Sequence, residues 1–264
     1  LLAWQAARIH QQERDISSSF SVAQLTGHTL LMVGLIAVVC GDIGMCVIYL
    51  FLFVTISWMA GVKARWFALG GTCFVGAILG AWFTILQSDR FAYIRNRFMV
   101  VLDHSLDPLG AGFQQSRSLL AIGSGQLTGQ GYLNGTQTQA SYSAALPARQ
   151  TDFIFSVCGE ELGMVGCLLL LLVLALIILR CYWVGRNASS PFSAYVSMGI
   201  AGMLLAQVFF NVGMCLYILP VMGLTLPFFS YGGSSIITLY TAMGIVSSIR
   251  ARTLPSWLRD RNQL

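Results

Sequence analysis

Apolar residues in this chain do not alternate with polar ones. They run in long tracts broken by short polar or basic interruptions. Trp66–Gln87, Gly159–Leu179, Ser193–Leu219 and Ser234–Ile249 each approach the ~20 residues a helix needs to cross a bilayer. A membrane strand would instead show alternation over ~10 residues, so the tracts predict spanning helices. The tract from His28 to Val62 is too long for one crossing, and Cys40-Gly41-Asp42-Ile43-Gly44 interrupts it. Two glycines around an aspartate make a poor helix interior. Two shorter spans, 29–41 and 44–62, joined by a tight turn are therefore expected. The opening LLAWQAARI reads as the tail of a span (1–9) that begins upstream, so the sequence is expected to be the C-terminal portion of a larger protein.

Composition agrees with a membrane interior. The chain has 264 residues, 56% hydrophobic and 9% charged, with mean hydropathy +0.72; soluble domains carry about 25% charged residues. The reading is an all-α polytopic membrane protein, one integral membrane domain. The seven cysteines sit almost all inside apolar tracts without metal-knuckle or disulfide spacing, and read as small packing residues. The net charge of +5 implies no nucleic-acid partner, because the basic residues form short clusters at span ends. Those clusters are Arg8/Arg14, Lys63/Arg65, Arg180/Arg186 and Arg250/Arg252/Arg259/Arg261. The positive-inside rule places all of them in the cytoplasm, so an even number of crossings separates each pair. Parity makes 28–62 cross twice and puts Asp42 near the outer face. It also sends 88–158 and 220–233 outside and leaves 250–264 as a cytoplasmic tail. The first outer loop holds aromatics, a DPLG turn at 107–110, the apolar stretch Ser118–Ile122 and a glycine run; an ordered cap with short surface helices is expected. The second, PVMGLTLPFFSYGG, stays apolar and should dip into the protein, where irregular backbone is tolerated only beside a cavity.

Several residues are candidates for chemistry. Asp152 stands at the mouth of a span, where a carboxylate is costly and often functional; it is either a general base facing a cavity or a helix cap. Glu160 and Glu161 read either as ligands for a metal or cationic group or as stabilisers of a helix N-terminus. Arg117 and Arg149, in the first outer loop, either clamp an anion with their planar forks or contact water and headgroups. The run Arg90, Arg95 and Arg97 reads as a headgroup contact. Asp42 is either a substrate contact or a turn residue. Ser230, Tyr231, Gly232, Gly233 and Ser234 offer donors to an anion at a helix start, or simply a cap and a turn. No Ser/His/Asp set, phosphate loop or His-rich metal motif is present; the three histidines are dispersed.

Three long stretches carry a resemblance: DPLGAGFQQSRSLLAIGSGQLTGQGYLNGTQ, LPARQTDFIFSVCGEELGMVG and NVGMCLYILPVMGLTLPFFSYGGSS. In this order they resemble the signatures of the SEDS proteins, the RodA/FtsW/SpoVE group of peptidoglycan glycosyltransferases, from about His28 to Ile249. GQGYLNGTQTQ and FFSYGGSS look more like RodA than FtsW, and GDIG at Gly41–Gly44 resembles the family's QPDLG turn. The resemblance implies the C-terminal part of a ten-helix bundle with a long extracytoplasmic loop, in the bacterial cytoplasmic (inner) membrane. It implies polymerisation of lipid II into glycan strands, by inversion, with undecaprenyl pyrophosphate leaving. The catalytic aspartate of the family's HTDFIFA motif falls on Asp152. Asp42, Gln114, Arg117, Arg149 and Ser230–Ser234 are the implied substrate-binding residues. A divalent cation (Mg²⁺ or Mn²⁺) and no organic cofactor are implied, with lipid II, the undecaprenyl-linked glycan and a class B penicillin-binding transpeptidase as partners. The chain departs from the family at Ala148 and Gln150, where an acidic residue and a histidine are usual. A lipid II transporter and a non-catalytic scaffold for the transpeptidase are the competing readings. The near-absence of polar residues in the later spans beyond Gln207 and Asn211 disfavours transport.

Overall fold

A computed structural model of the chain describes residues 1–83, 95, 99, 111–139 and 146–253. Every regular element among them is helical. In chain order they are α1 (Leu2–Gln11), α2 (Ser19–Leu35), α3 (Ile43–Met59), α4 (Ala64–Phe83), α5 (Ala111–Ser124), α6 (Ile154–Arg186), α7 (Pro191–Cys215) and α8 (Gly233–Thr253). Among the described residues, three helical stretches are long and apolar enough to cross a membrane: Ser19–Cys40, Ile154–Arg186 and Pro191–Cys215. The apolar α3 is shorter. The protein is an all-α, multi-pass membrane protein. Expectations for 84–94, for Arg90 and Arg97, for the DPLG turn and for the tail beyond Thr253 fall outside the described residues.

Helix limits follow capping chemistry that hydropathy does not register. The helix expected from residue 29 begins at Ser19, because the Ser18 side chain accepts the Ser21 N–H at 3.3 Å and caps the first turn. α2 then continues as a π-helical turn, Ile36–Cys40, and stops at Gly41, whose φ of 63° is a left-handed terminator. Asp42 opens α3 by accepting the Met45 N–H at 3.0 Å. The tract 28–62 is thus two helices, broken at the glycine–aspartate pair.

The chain groups into two compact units. One comprises 1–68, 175–206 and 233–264; the other comprises 69–174 and 207–232. In the first, α1 buries Leu2, Ala3, Ala6, Ala7 and Ile9 in a core shared with Leu25, Ile56 and Tyr195. Ser17 ties the start of α2 to the α3–α4 turn. Its hydroxyl accepts the Lys63 N–H at 2.7 Å, and its carbonyl accepts the Trp66 indole N–H at 2.9 Å. Arg180 and Arg250 lie 4.7 and 4.5 Å from the Trp183 ring centre. Together the two contacts bring one arginine from each of two basic clusters to the same ring.

In the second unit, Cys167, Leu170 and Leu174 of α6 are buried with Phe153, Phe155, Met214 and Leu226. The intervening Leu168, Leu169, Leu172 and Val173 are more than half exposed, the helical period of a face turned to lipid. At 33 residues, α6 would be ~50 Å long, well beyond a ~30 Å hydrocarbon core. It is bent at Gly163 (φ 69°, ψ −169°), and Met164–Arg186 alone covers about 35 Å. A continuous helix would bond Met164 N–H to the Glu160 carbonyl and Val165 N–H to that of Glu161. Here Met164 and Val165 donate to the carbonyls of Gln126 and Leu127 at 2.9 and 3.1 Å. The carbonyls of Glu160 and Glu161 take the N–H groups of Gln130 and Gly131 at 2.9 and 3.1 Å. The loop after α5 is spliced into two opened helical bonds.

Such close backbone approach requires glycine. A Cβ on Gly125 would overlap the Gly159 carbonyl, and one on Gly129 (φ 81°) would overlap that of Glu161. Gly129→Ala is expected to lower stability by about 2–3 kcal/mol, from left-handed strain and overpacking together. Gly123→Ala, with nothing within 4 Å and a helical site, should instead be neutral or stabilising by up to about 1 kcal/mol. Thermal unfolding in detergent separates the two.

Candidate active site

Asp152 lies in the turn 147–153 that leads into α6. Phe153 occupies the capping position, its carbonyl accepting the Val157 N–H at 3.3 Å, so Asp152 stands one residue outside the helix. The turn closes on Ala148, which is left-handed (φ 48°). Its carbonyl accepts the N–H groups of Thr151 and Phe153 at 3.1 and 3.2 Å.

Three consecutive carbonyls of this turn are held by α7 and the segment that follows it. Tyr231 N–H donates to Gln150 at 2.8 Å, the Ser230 hydroxyl to Thr151 at 2.6 Å, and the Asn211 amide to Asp152 at 2.8 Å. The same Asn211 nitrogen donates to the Leu224 carbonyl at 2.6 Å, and Ser230 Oγ accepts the Leu226 N–H at 2.8 Å. Asn211 and Ser230 are buried, so these donors replace water for backbone that would otherwise be unsatisfied. Val221, Leu224 and Leu226 are buried as well, so the second outer segment packs into its unit. Gly223 brings its backbone past the carboxylate: a Cβ there would stand 3.9 Å from Asp152 Oδ2.

The two arginines converge on one short segment. Arg117 donates to Gln137 Oε1 at 3.2 Å and lies 5.2 Å from the Phe113 ring centre. Arg149, three residues before Asp152, donates to the Thr138 carbonyl. Among the described residues both guanidiniums are thus held by neutral acceptors. Leu146 N–H donates to the Gln137 carbonyl at 3.2 Å, tying the start of the Asp152 turn to the same place.

Glu160 and Glu161 anchor that segment from below. Glu160 accepts from Gln137 N–H and Thr138 N–H, both at 2.8 Å, from Thr136 Oγ1 at 3.1 Å and from Ser124 Oγ at 3.3 Å. Glu161 accepts from Leu133 N–H at 3.0 Å, Gln139 Nε2 at 2.7 Å and Thr138 Oγ1 at 3.2 Å. These bonds are a third role, neither cation ligand nor helix-end charge. Among the described residues no three His, Cys, Asp or Glu side chains gather around a common point.

The remaining candidates are dispersed. Asp42 caps α3 and belongs to the other unit. Gln114 is half-buried on α5. Its neighbour Gln115 is fully buried and donates to the carbonyls of Met214 and Leu219 at 3.1 and 2.7 Å. Tyr231 is 75% exposed; Gly232 is half-buried, and Gly233 and Ser234 are exposed where α8 begins. Residues outside the candidate set, Asn211, Gln115, Gln137 and Thr138, hold the site. A lone asparagine in an apolar tract was the readable signal, since such a group must find a partner. Gln137 and Thr138 carry no local mark.

The family model for FtsW, RodA and SpoVE, described as a cell cycle protein, matches residues 1–254. The chain belongs to this family. It is 40% identical over 208 residues to the Escherichia coli K12 peptidoglycan glycosyltransferase MrdB, covering 79% of this chain and 54% of that protein. It is 35% identical over 223 residues to a probable peptidoglycan glycosyltransferase FtsW of Haemophilus influenzae, covering 83% and 54%. The chain therefore spans about half the length of these relatives. Among solved structures it is similar to a chain of a peptidoglycan synthase complex (30% identity, TM-score 0.76, 97% of this chain and 68% of the other). It is also similar to the rod shape determining protein RodA of Thermus thermophilus (26% identity, TM-score 0.60, 97% and 62%).

Ser230→Ala removes the donor to Thr151 and the acceptor of Leu226 N–H together. It is expected to cost about 1–3 kcal/mol in detergent unfolding, whereas Tyr231→Ala, at an exposed side chain, should stay within about 0.5 kcal/mol.

Proposed function

We propose that this chain supplies the catalytic portion of a peptidoglycan glycosyltransferase that polymerises lipid II on the outer face of the bacterial cytoplasmic membrane. The observation that carries the reading is the Asp152 turn: its sequence resembles the family's catalytic motif, and three successive carbonyls are held by hydrogen bonds while the carboxylate stands outside the helix. Rigid backbone beneath a half-buried carboxylate is what a positioned general base requires.

In the proposed reaction the 4-hydroxyl oxygen of one lipid-linked disaccharide attacks the anomeric carbon of another. Asp152 accepts the hydroxyl proton as the new glycosidic bond forms. The bond from the anomeric carbon to the pyrophosphate oxygen breaks with inversion, and undecaprenyl pyrophosphate leaves. Charge developing on that leaving group needs preorganised cations. Arg117 and Arg149 suit the task because neutral acceptors orient them without cancelling their charge. A divalent cation, if bound, would add charge stabilisation for the leaving pyrophosphate; among the described residues no group of three His, Cys, Asp or Glu side chains would hold it.

The similarity to a chain of a peptidoglycan synthase complex supports a class B penicillin-binding transpeptidase as partner. The deciding experiment is polymerisation of purified lipid II by the full-length protein with that partner. Asp152→Ala is expected to reduce glycan synthesis by at least about 100-fold, the usual range for loss of a general base, with lipid II still bound. Wild-type rates from Asp152→Ala would overturn the assignment. Lipid II translocation without polymer from wild type would establish the transporter reading instead.

A further inference from the structure

The bonding around Glu160 is more than a loop anchor. Its carboxylate takes the backbone N–H groups of Gln137 and Thr138. The other sides of these two residues face the arginines: the Gln137 side chain receives Arg117 and the Thr138 carbonyl receives Arg149. The Gln137 carbonyl also receives Leu146 N–H, where the Asp152 turn begins. One buried acid therefore fixes, through two residues, both guanidiniums and the entry to the catalytic turn. Gly135 makes room for it, since a Cβ there would stand 2.6 Å from Glu160 Oε2.

We infer that Glu160 is a positioning residue for the pyrophosphate end of the substrate, acting through Gln137 and Thr138 to hold Arg117 and Arg149 where an anionic leaving group sits. The inference rests on the polymerase reading for its role in turnover, but its physical core is binding of a prenyl pyrophosphate. An ionised carboxylate accepts at both oxygens, whereas glutamine replaces one acceptor with an NH₂ donor. Glu160→Gln therefore turns one oxygen against the N–H groups it now holds. The segment shifts, and the arginines lose their seats although neither has been altered. Glu161 has only part of this connection: it binds Leu133 N–H and the side chains of Thr138 and Gln139, and so reaches the residue that holds Arg149 but not Gln137, which holds Arg117.

The test is a mutant cycle on the full-length protein, read first as farnesyl pyrophosphate affinity and then as lipid II polymerisation. Glu160→Gln and the Arg117→Ala/Arg149→Ala pair are each expected to weaken farnesyl pyrophosphate binding about tenfold or more. The combined variant should be within twofold of the arginine pair, because groups acting in series are non-additive. In turnover, kcat should fall more than KM rises, since charge on the leaving group develops in the transition state. A merely structural role predicts a lower unfolding midpoint with unchanged affinity, or multiplicative losses in the cycle; either result overturns the inference. So does failure of the wild type to bind farnesyl pyrophosphate. Coupled binding losses in a protein that makes no polymer would sustain the inference while removing the polymerase reading. If Glu160→Gln does not fold, Thr136→Val removes one of the four bonds and carries the same cycle with an expected loss of about threefold; unchanged affinity there is equally decisive against it.

Discussion

Gly163 opens α6 just after its two buried glutamates, and the loop behind α5 fills the opening. Buried backbone that leaves regular geometry must find its hydrogen bonds within the protein, and here the solution is reciprocal. The helix gives the loop two carbonyls and two N–H groups, and the loop returns the same complement. Once the loop is docked in that gap, the two glutamate side chains can reach its later residues. The arginines and the Asp152 turn are held in succession from there. The irregular part of this unit depends on that exchange.

The same economy of donors appears on the far side of the turn. Tyr231, Ser230 and Asn211 hold three carbonyls in a row, and Gln115 satisfies carbonyls at and just beyond the end of α7 that a helix terminus leaves open. Asn211, Ser230 and Gln115 thus spend their donors on backbone carbonyls. Beside them stand a carboxylate next to a glycine backbone and two guanidiniums held by neutral acceptors among the described residues. A carboxylate and two cations carried on one connected stretch of backbone support reading the place as a site for an anionic sugar donor.

Much of the architecture was legible because it is local. Apolar tracts gave helices, and the Gly41–Asp42 break followed from two residues with opposite conformational demands. Asp152 was marked by position alone, a carboxylate at the head of an apolar run. The alternatives left open at Glu160 and Glu161 were both local, and the role they have is not: their partners lie more than twenty residues earlier in the chain. Gly163 was similarly hidden, since one glycine within a helical pattern is ordinarily tolerated at modest cost. The early start of α2 escaped for a different reason. Ser18 caps through one side-chain bond, and Gln24 and His28 dilute the apolar signal without opposing the helix.

The splice at Gly163 also bears on how the protein can change over time. Surface loops usually drift in length, because adding a residue alters little beyond closure entropy. The stretch from Gln126 to Gly131 is matched bond for bond to four fixed positions on α6. One residue inserted between Leu127 and Gln130 would put one pair of bonds out of step with the other. Substitution at outward positions such as Leu127 and Tyr132, whose side chains are largely exposed, is open. Insertion and deletion are not, so this segment can vary in composition while its length is frozen.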